Sequence, residues 1–395
     1  MSTYFKGTTT KNPVEYRCGE MIEFDLQLMM DEIKIGCPMI KWETWGDDGR
    51  SASGFTPGES GHIKVYGTLE KPGFLRVIVR ACSINGAPLM GFDTYEGGAG
   101  AEIDKIRQGV DDPEDFDEFW AGEIETVKYF TPEIIEKVQV ESANPDFDLY
   151  DVKISAPTKR PVSGYLSVPK NKPISECGAF LGFMGYGVAS APATYRAGEI
   201  SLHINSHGIE NGKDAAFYEE LRKGELAAFG FKDDENASPE TCYFRDMIRR
   251  GMIALKWLAE SSGYSGEPIQ LTGGSMGAMQ ATNIAARAEA LGIKIRQLWI
   301  GVPWLCDLGG ITIGRQRGWR PNFTKGIRYF DTAAAAARVS ADTPVVIECG
   351  LGDYVCPPSG EVVLWHNFRG QKSITFLQNK THGYNPPERD ATTIV

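Results

Sequence analysis

The amino-acid sequence predicts an α/β fold, with a mostly parallel sheet and helices on both faces, preceded by a smaller all-β domain. The chain has 395 residues, which is too many for one ordinary hydrophobic core and enough for two domains. Short runs that alternate apolar and polar residues occupy its first part, whereas strand-like and helix-like runs alternate through the rest. We therefore expect an immunoglobulin-like β-sandwich over residues 1–110 and an α/β domain over residues 111–395.

The N-terminal part shows the period-two pattern of half-buried strands. Apolar residues alternate with acidic or amide residues from 22 to 28, and the run from 75 to 81 repeats the alternation. Turn-rich stretches separate these runs, which is typical of a β-sandwich. The glycine-rich stretch at residues 95–100 lacks the Lys-Ser/Thr ending of a phosphate-binding loop. We expect a linker or a surface loop there.

The second part opens with a predicted helix and continues with alternating strands and helices. Proline and acidic residues at 112–120 are typical of a helix start, and apolar residues from Phe116 to Val127 recur at helical spacing. A long helix with one apolar face is expected over 243–260. Strand-like runs are found at residues 137–141, 150–154, 164–168, 179–184, 199–204, 268–272, 297–302, 344–349 and 374–377.

Composition and charge argue against several classes of partner. The formal net charge is −11, so the chain has no basic surplus for binding nucleic acid or an anionic membrane. No apolar run approaches the ~18 residues of a membrane-spanning helix, and the N-terminus shows no apolar leader. The eight cysteines are scattered without a CxxC pair, which is typical of reduced thiols. We expect a cytoplasmic protein with no nucleic-acid or membrane partner. The sequence is compatible with a homo-oligomer.

The most informative motif is the G-x-S-x-G segment at residues 273–277. It follows the strand-like run 268–272 and precedes the helix-forming run 278–290, so Ser275 is predicted on a sharp strand-to-helix turn. The glycines leave room for such a turn, and a helix N-terminus offers free N–H groups to a developing oxyanion. A glycine-rich turn with a capping serine has the same pattern. Whether Ser275 is a nucleophile therefore depends on whether the sequence also supplies a base and an acid for it.

A nucleophilic serine requires a histidine base, and two histidines follow Ser275 in the chain. His366 lies between apolar residues in the run 360–368, a pattern typical of a packed helix. His382 lies among loop-forming residues after the strand-like run 374–377, and such a loop can reach the nucleophile. We therefore predict His382 as the base.

The acid that orients this base is predicted at Asp353. It follows the buried-strand pattern 344–349, at the carboxyl end of a strand, where open α/β sheets place their sites. Asp307, which follows the run 297–302, is the alternative. The order of strand, glycine, acid and histidine favours Asp353. Cys356 has apolar neighbours in sequence, so we expect a packed thiol rather than a nucleophile.

Several segments resemble the acetyl xylan esterase and cephalosporin-C deacetylase type of α/β-hydrolase. The most specific are VPWLCD at 302–307 and GDYVCPP at 352–358, and the stretches at 113–120, 185–187 and 273–277 add to them. The resemblance implies an α/β-hydrolase catalytic domain in residues 111–395. It also implies a serine esterase that removes O-acetyl groups from carbohydrates, without a metal or another cofactor. The expected substrate is an acetylated saccharide or another small ester.

The resemblance implies roles for five residues of this sequence. Ser275 would be the nucleophile, Asp353 the acid and His382 the base. The backbone N–H groups of Tyr186 and Met276 would form the oxyanion hole. The residue pattern agrees, because the first of these groups follows a buried-strand pattern and the second stands at a helix start.

Three further residues are candidates for contact with the substrate. His207, Trp304 and Tyr354 lie on segments that carry the predicted site, and a sugar can stack on aromatic rings. Ordinary packing explains the aromatic residues equally well. His203 and His207 are four residues apart, but on a strand this spacing separates them by about 13 Å. Because no carboxylate cluster completes a ligand set, we predict no metal site.

Two other functions stay open from the sequence. One is a serine hydrolase of the same fold that acts on another acyl ester or on a peptide. The other is an inactive carbohydrate-binding or interaction protein, against which a complete set of Ser275, Asp353 and His382 argues.

Overall fold

Eight strands build the N-terminal part of the molecule, of which the computed structural model describes residues 2–395. The strands are β1 (Thr3–Thr9), β2 (Ile22–Met30), β3 (Ile33–Lys34), β4 (Met39–Gly46), β5 (Ser51–Pro57), β6 (His62–Gly67), β7 (Gly73–Cys82) and β8 (Tyr95–Ala101). Strands β1, β2, β3 and β6 form one sheet, and β5, β4, β7 and β8 form a second. All pairings within the two sheets are antiparallel.

The two sheets share one hydrophobic core. Along β2 the apolar residues predicted to face inward are buried, and the polar residues between them are half-buried. Phe24 and Leu26 of this strand belong to the same buried cluster as Val77 and Val79 of β7 in the other sheet. The period-two pattern therefore places one apolar face of each sheet against the other, as in a sandwich.

The glycine-rich stretch at 95–100 belongs to β8, so the prediction of a linker or surface loop there is wrong. Residues 97–101 are buried, and β8 pairs with β7 along its length. The missing side chains let another segment approach, because a Cβ on Gly98 would lie 2.8 Å from the carbonyl oxygen of Leu351. Glycine removes the apolar alternation by which a strand is recognised, which explains the error.

Ten strands and six α-helices follow. The strands are β9 (Ile134–Val140), β10 (Phe147–Ile154), β11 (Val162–Pro169), β12 (Gly178–Phe183), β13 (Glu199–Ile204), β14 (Ile269–Gly274), β15 (Ile295–Gly301), β16 (Val345–Gly350), β17 (Lys372–Leu377) and β18 (Ala391–Ile394). The helices are α1 (Phe116–Lys128), α2 (Ala215–Lys223), α3 (Tyr243–Ser261), α4 (Met276–Ala288), α5 (Thr332–Ala336) and α6 (Pro358–Asn367).

The ten strands form one sheet in the order β18-β17-β16-β15-β14-β12-β13-β11-β10-β9. The six strands from β17 to β13 in this order are parallel, and the remaining strands at both edges are antiparallel to their neighbours. The predicted α/β fold is confirmed. Among residues 2–395, no helix has both the length and the apolar character needed to cross a bilayer.

Helix α4 is a long helix enclosed on all sides. Nearly all its residues are buried, and it packs on β12, β14 and β15 and against α3 and α5. Its Ala-rich sequence allows this close packing because small side chains leave room for neighbouring elements. Ile103 and Ile106 also belong to the larger core. The domain boundary at residue 110 stays a prediction.

Candidate active site

Ser275 lies on a sharp turn between β14 and α4. Its backbone has φ 55° and ψ −121°, a conformation that a residue with a side chain rarely adopts. Glycines make the turn possible, because a Cβ on Gly273 would overlap the backbone of Gly277, and a Cβ on Gly277 would overlap the carbonyl of Phe183. The N–H of Ser275 donates to Gly301 O of β15 at 2.9 Å. The serine is therefore held, half-buried, at the carboxyl end of the sheet.

Asp353 and His382 meet at the same end of the sheet. Asp353 lies in the acid loop (residues 351–357) after β16, and His382 lies in the base loop (residues 378–385) after β17. The Asp353 carboxyl is fully buried. Its Oδ1 accepts the N–H groups of Val355 and Cys356 at 3.0 Å, and its Oδ2 is 2.8 Å from His382 Nδ1. These contacts orient the imidazole and leave its Nε2 for a second partner.

The Cys356 thiol lies close both to Ser275 and to the Asp353–His382 pair. It lies beside the Ser275 hydroxyl, and its sulfur is within 4.8 Å of ligand atoms of Asp353 and His382. Within residues 2–395, no hydrogen bond joins Ser275 to His382, so that contact requires rotation of the serine or a small shift of the base loop. Burial raises the pKa of the Cys356 thiol well above its ordinary value, as expected for a packed cysteine.

Asp353, Cys356 and His382 are also the side chains here that could hold a cation, because they combine ligand types that zinc accepts. A cation on these atoms would compete for the groups that form the Asp353–His382 hydrogen bond. His203, considered from the sequence as a ligand, is half-buried on β13 and contacts Thr194 Oγ1 at 3.0 Å through its Nδ1. Proton transfer and cation binding are thus alternative uses of the same Asp353 and His382 atoms.

Two backbone N–H groups lie near the serine turn. Met276 is the first residue of α4, and Tyr186 follows the end of β12. Gly185, next to Tyr186, approaches the carbonyl of Gly274, because a Cβ built on it would lie 3.6 Å from that oxygen. Over residues 2–395, neither N–H donates to a protein acceptor. Free donors beside a nucleophile are what an oxyanion hole requires, and the start of α4 adds its dipole.

Aromatic rings surround the Tyr186 side chain. The Phe229 ring stacks on it with centroids 4.1 Å apart, and the Tyr186 hydroxyl donates to Phe229 O at 3.2 Å. Phe231, Trp304 and Trp319 present their rings to it at centroid distances of 5.8, 5.9 and 4.7 Å. These contacts hold the backbone whose N–H lies near the serine. Phe229 and Phe231 were missed because single aromatic residues outside a periodic run or motif give no functional pattern.

His207 lies behind this aromatic group and not on an open surface. Its side chain is buried, with Nδ1 2.7 Å from the Tyr243 hydroxyl and Nε2 2.9 Å from Gly187 O. Both ring nitrogens are thus used by the protein, and none is left for a sugar. We do not carry forward the prediction that His207 contacts the substrate. Its position supports the turn that follows Tyr186 instead.

Acidification is expected to destabilise the fold through two histidines shielded from water, the half-buried His203 and the buried His207. Burial lowers the pKa of both His203 and His207 to about 4, so the folded protein binds fewer protons than the unfolded chain between about pH 4 and 6.5. Their contribution to stability is present above pH ~6.5 and is lost as the pH falls toward 4. Protonation of each of these two histidines is expected to lower the free energy of unfolding by about 2 kcal/mol when the pH falls from 7.5 to 5.

Urea unfolding at these two pH values tests this expectation. His207→Gln should be less stable than the parent at pH 7.5 but should lose less stability on acidification. His62→Gln, at a side chain that is 44% exposed, is the control for a His→Gln substitution that removes no buried imidazole. An equal loss of stability in the parent and in His207→Gln would contradict the assignment.

Trp304 and Tyr354, the other predicted substrate contacts, are also largely enclosed. Trp304 is buried, and its Nε1 donates to Trp319 O at 2.6 Å, so it supports that residue from beneath. The Tyr354 hydroxyl is enclosed, and the Arg76 guanidinium lies 4.4 Å from the centre of its ring. Trp319, 43% exposed, is the ring of this group that a ligand could reach.

The alternative acid and the alternative base considered from the sequence make contacts away from Ser275. Asp307 pairs with Arg315 at 2.5 Å and accepts the N–H of Gly109 at 2.7 Å. His366 lies on α6, with Nδ1 2.9 Å from Ile106 O. The geometry therefore brings Asp353, and not Asp307, to His382.

The parallel sheet, with Ser275 on a strand-to-helix turn at its carboxyl end, defines an α/β-hydrolase, and the family match places it in the carboxylic ester hydrolase class. The family model described as acetyl xylan esterase (AXE1) matches residues 100–317 and 312–394. The chain belongs to the acetyl xylan esterase family, a family of carbohydrate acetyl esterases, as the sequence resemblance implied.

Individual proteins agree with this family. Acetyl esterase Axe7A of Xylanibacter ruminicola is 23% identical over 332 residues, covering 80% of this chain and 72% of that protein. The acetyl xylan esterase of Paenibacillus sp. R4 superposes with a TM-score of 0.56 at 18% identity, covering 72% of this chain and 94% of that one. Acetyl xylan esterase 1 of Thermoanaerobacterium sp. JW/SL YS485 gives 0.55 at 17% identity, with the same coverage. At these identities the solved structures are similar in fold.

Proposed function

We propose that this esterase removes O-acetyl groups from carbohydrates through an acyl-enzyme on Ser275. The observation that carries the proposal is the 2.8 Å contact between His382 Nδ1 and a fully buried Asp353, beside a serine held in a strained turn. Strain of this kind persists where the surrounding structure supports it, and it keeps a nucleophile exposed at the end of a strand.

In the first half of the reaction, His382 Nε2 accepts the proton of the Ser275 hydroxyl, and the serine oxygen attacks the acetyl carbonyl. The N–H groups of Tyr186 and Met276 donate to the oxyanion of the tetrahedral intermediate. Collapse of this intermediate breaks the ester bond, and His382 gives the proton to the departing sugar oxygen. Asp353 stabilises the imidazolium that exists between these two proton transfers.

In the second half, water attacks the acetyl group on Ser275. His382 accepts a proton from this water and returns it to the serine oxygen, which releases acetate. All the groups required belong to this chain, so no cofactor enters the proposed cycle.

An acetylated saccharide is the substrate class that we propose. The family and the relatives named acetyl esterase and acetyl xylan esterase support an acetyl ester. Trp319, whose ring packs edge to face against Tyr186, offers a half-open surface on which a sugar could stack.

Hydrolysis of p-nitrophenyl esters of increasing chain length tests the acyl specificity. We expect kcat/KM to fall by roughly 10-fold or more from acetate to butyrate, because a small acyl pocket rejects each added carbon. Acetate release from a panel of acetylated oligosaccharides and polysaccharides then ranks the natural substrates. Equal or faster cleavage of longer chains would favour an esterase for another acyl group. Absence of hydrolysis with every ester would favour an inactive binding protein.

A further inference from the structure

The outer edge of strand β8 binds the loop that carries His382. Strand β8 is the last strand of its sheet, and edge strands leave alternate backbone groups without a partner strand. Here the N–H of Glu96 donates to Asn379 Oδ1 at 3.0 Å, and the N–H of Gly98 donates to Gln378 Oε1 at 2.9 Å. Side chains of the base loop thus take the place of a neighbouring strand.

The Gln378 side chain completes this pairing in both directions. Its Nε2 donates to Gly98 O at 2.9 Å while its Oε1 accepts the N–H of the same residue. A side-chain amide therefore makes the two hydrogen bonds that a peptide group of a paired strand would make. Gln378 is 2% exposed and Asn379 is 6% exposed, so losing either partner would leave buried polar groups unpaired. Asn379 also adopts a left-handed backbone, with φ 55°.

The same strand touches the acid loop. A Cβ on Gly98 would lie 2.8 Å from Leu351 O, and a Cβ on Gly352 would overlap the carbonyl of Glu96. The two loops are also joined directly, since the N–H of Gly352 donates to Lys380 O at 3.0 Å. Strand β8 thus contacts the acid loop one and two residues before Asp353, and the base loop three and four residues before His382.

We propose that β8 is a template that sets the distance and orientation between the acid loop and the base loop, with Gln378 as a positioning residue for His382. This inference rests on the proposed function, because it matters only if Asp353 and His382 act together on Ser275. It gives the N-terminal sandwich a role in catalysis that needs no contact with substrate. It also accounts for Gly97 and Gly98 of β8, because a Cβ on Gly97 would overlap the Gln378 side chain of the base loop and a Cβ on Gly98 would press on Leu351 O of the acid loop.

Small displacements of the base loop are enough to impair catalysis. Catalytic groups must be held close to their productive geometry, and a displacement of 1 Å can cost about 10²-fold in rate. The base loop is exposed around His382, so its own packing provides little restraint there. The buried hydrogen bonds of Gln378 and Asn379 therefore restrain the loop where it leaves the enclosed part of the molecule, three to four residues before His382.

Two substitutions in the full-length chain test the proposal from opposite sides. Gln378→Ala removes both hydrogen bonds to Gly98, and Gly98→Ala adds a methyl group against Leu351. We expect each to lower kcat for p-nitrophenyl acetate by roughly 10- to 100-fold per active site, with KM little changed. Active sites are counted by stoichiometric labelling of the serine with a fluorophosphonate. Gln108→Ala is the control, because Gln108 bonds Asn367 and Asp112 away from the acid and base loops.

A second measurement separates positioning from mere stability. The proton shared by His382 and Asp353 is expected to give a downfield resonance in the one-dimensional proton spectrum of the parent and of Gln108→Ala, and to weaken or shift in Gln378→Ala. Unchanged kcat per labelled site, with an unchanged resonance, would overturn the positioning role even if Gln378→Ala melts earlier. Full activity in Ser275→Ala would instead overturn the proposed function, so the two failures are distinguishable.

Discussion

Replacing Ser275 with alanine is expected to abolish ester hydrolysis and to leave the fold intact. The proposed reaction has no other nucleophile, and loss of a triad serine typically lowers kcat by on the order of 10⁶-fold. The substitution removes one oxygen from a half-buried side chain, while the backbone turn is held by Gly273, Gly277 and the bond to Gly301. Initial rates with p-nitrophenyl acetate, together with thermal unfolding, measure both parts of this expectation.

A matched control for this variant lies on β17. Ser373 is also half-buried, near the opposite end of a strand of the same sheet, so Ser373→Ala should retain full activity. Failure of a fluorophosphonate to label Ser275→Ala would complete the result. Substantial hydrolysis by a correctly folded Ser275→Ala protein would show that the nucleophile is elsewhere.

Replacing Asp353 with asparagine is expected to lower kcat by on the order of 10⁴-fold, since an amide in place of the carboxylate favours the wrong imidazole tautomer. The buried carboxylate accepts the N–H groups of Val355 and Cys356 as well as bonding His382. An asparagine can keep the first two contacts through its oxygen, but its NH₂ group then faces His382 Nδ1. The ring is left with its basic nitrogen toward residue 353 and away from Ser275.

Asp307→Asn is the matched comparison, because Asp307 was the alternative acid in the sequence. It is equally buried but pairs with Arg315, so its substitution should cost stability, typically about 3–5 kcal/mol for a broken buried pair, and not kcat per folded molecule. Active-site labelling corrects the rates for any unfolded protein. A larger loss of kcat in Asp307→Asn than in Asp353→Asn would reverse the assignment of the acid.

The two parts of the molecule depend on each other through the acid loop. The acid loop is packed between the sheet and the N-terminal sandwich, with Tyr354 under Arg76 and Leu351 against Gly98. A change in the sandwich can therefore reach Asp353 through direct contacts, without any path through the substrate. Truncation of the N-terminal part is for this reason a poor test of its role, since it would expose buried faces of the acid loop.

The fold class, and the order of serine, acid and histidine along the chain, could be predicted from local sequence patterns. Period-two runs predicted the sandwich strands, and alternating strand and helix patterns predicted the parallel sheet. The sequence around Ser275 predicted a strand-to-helix turn because glycine is required where backbone segments almost touch, and this requirement is local. The family resemblance, which rests on short contiguous motifs, is likewise a property that sequence alone can express.

What the sequence by itself determined was thus the type of fold, the turn at Ser275 and a short set of candidates for its partners. Only the tertiary structure decided that Asp353 rather than Asp307 meets His382, that His207 is enclosed, and that β8 is a buried strand against both loops. The physical reason is that a contact between distant segments depends on which backbone groups are left unpaired at a sheet edge. No pattern within residues 95–100 predicts that Gln378, 280 residues away from Gly98 in the chain, forms hydrogen bonds with the outer edge of β8.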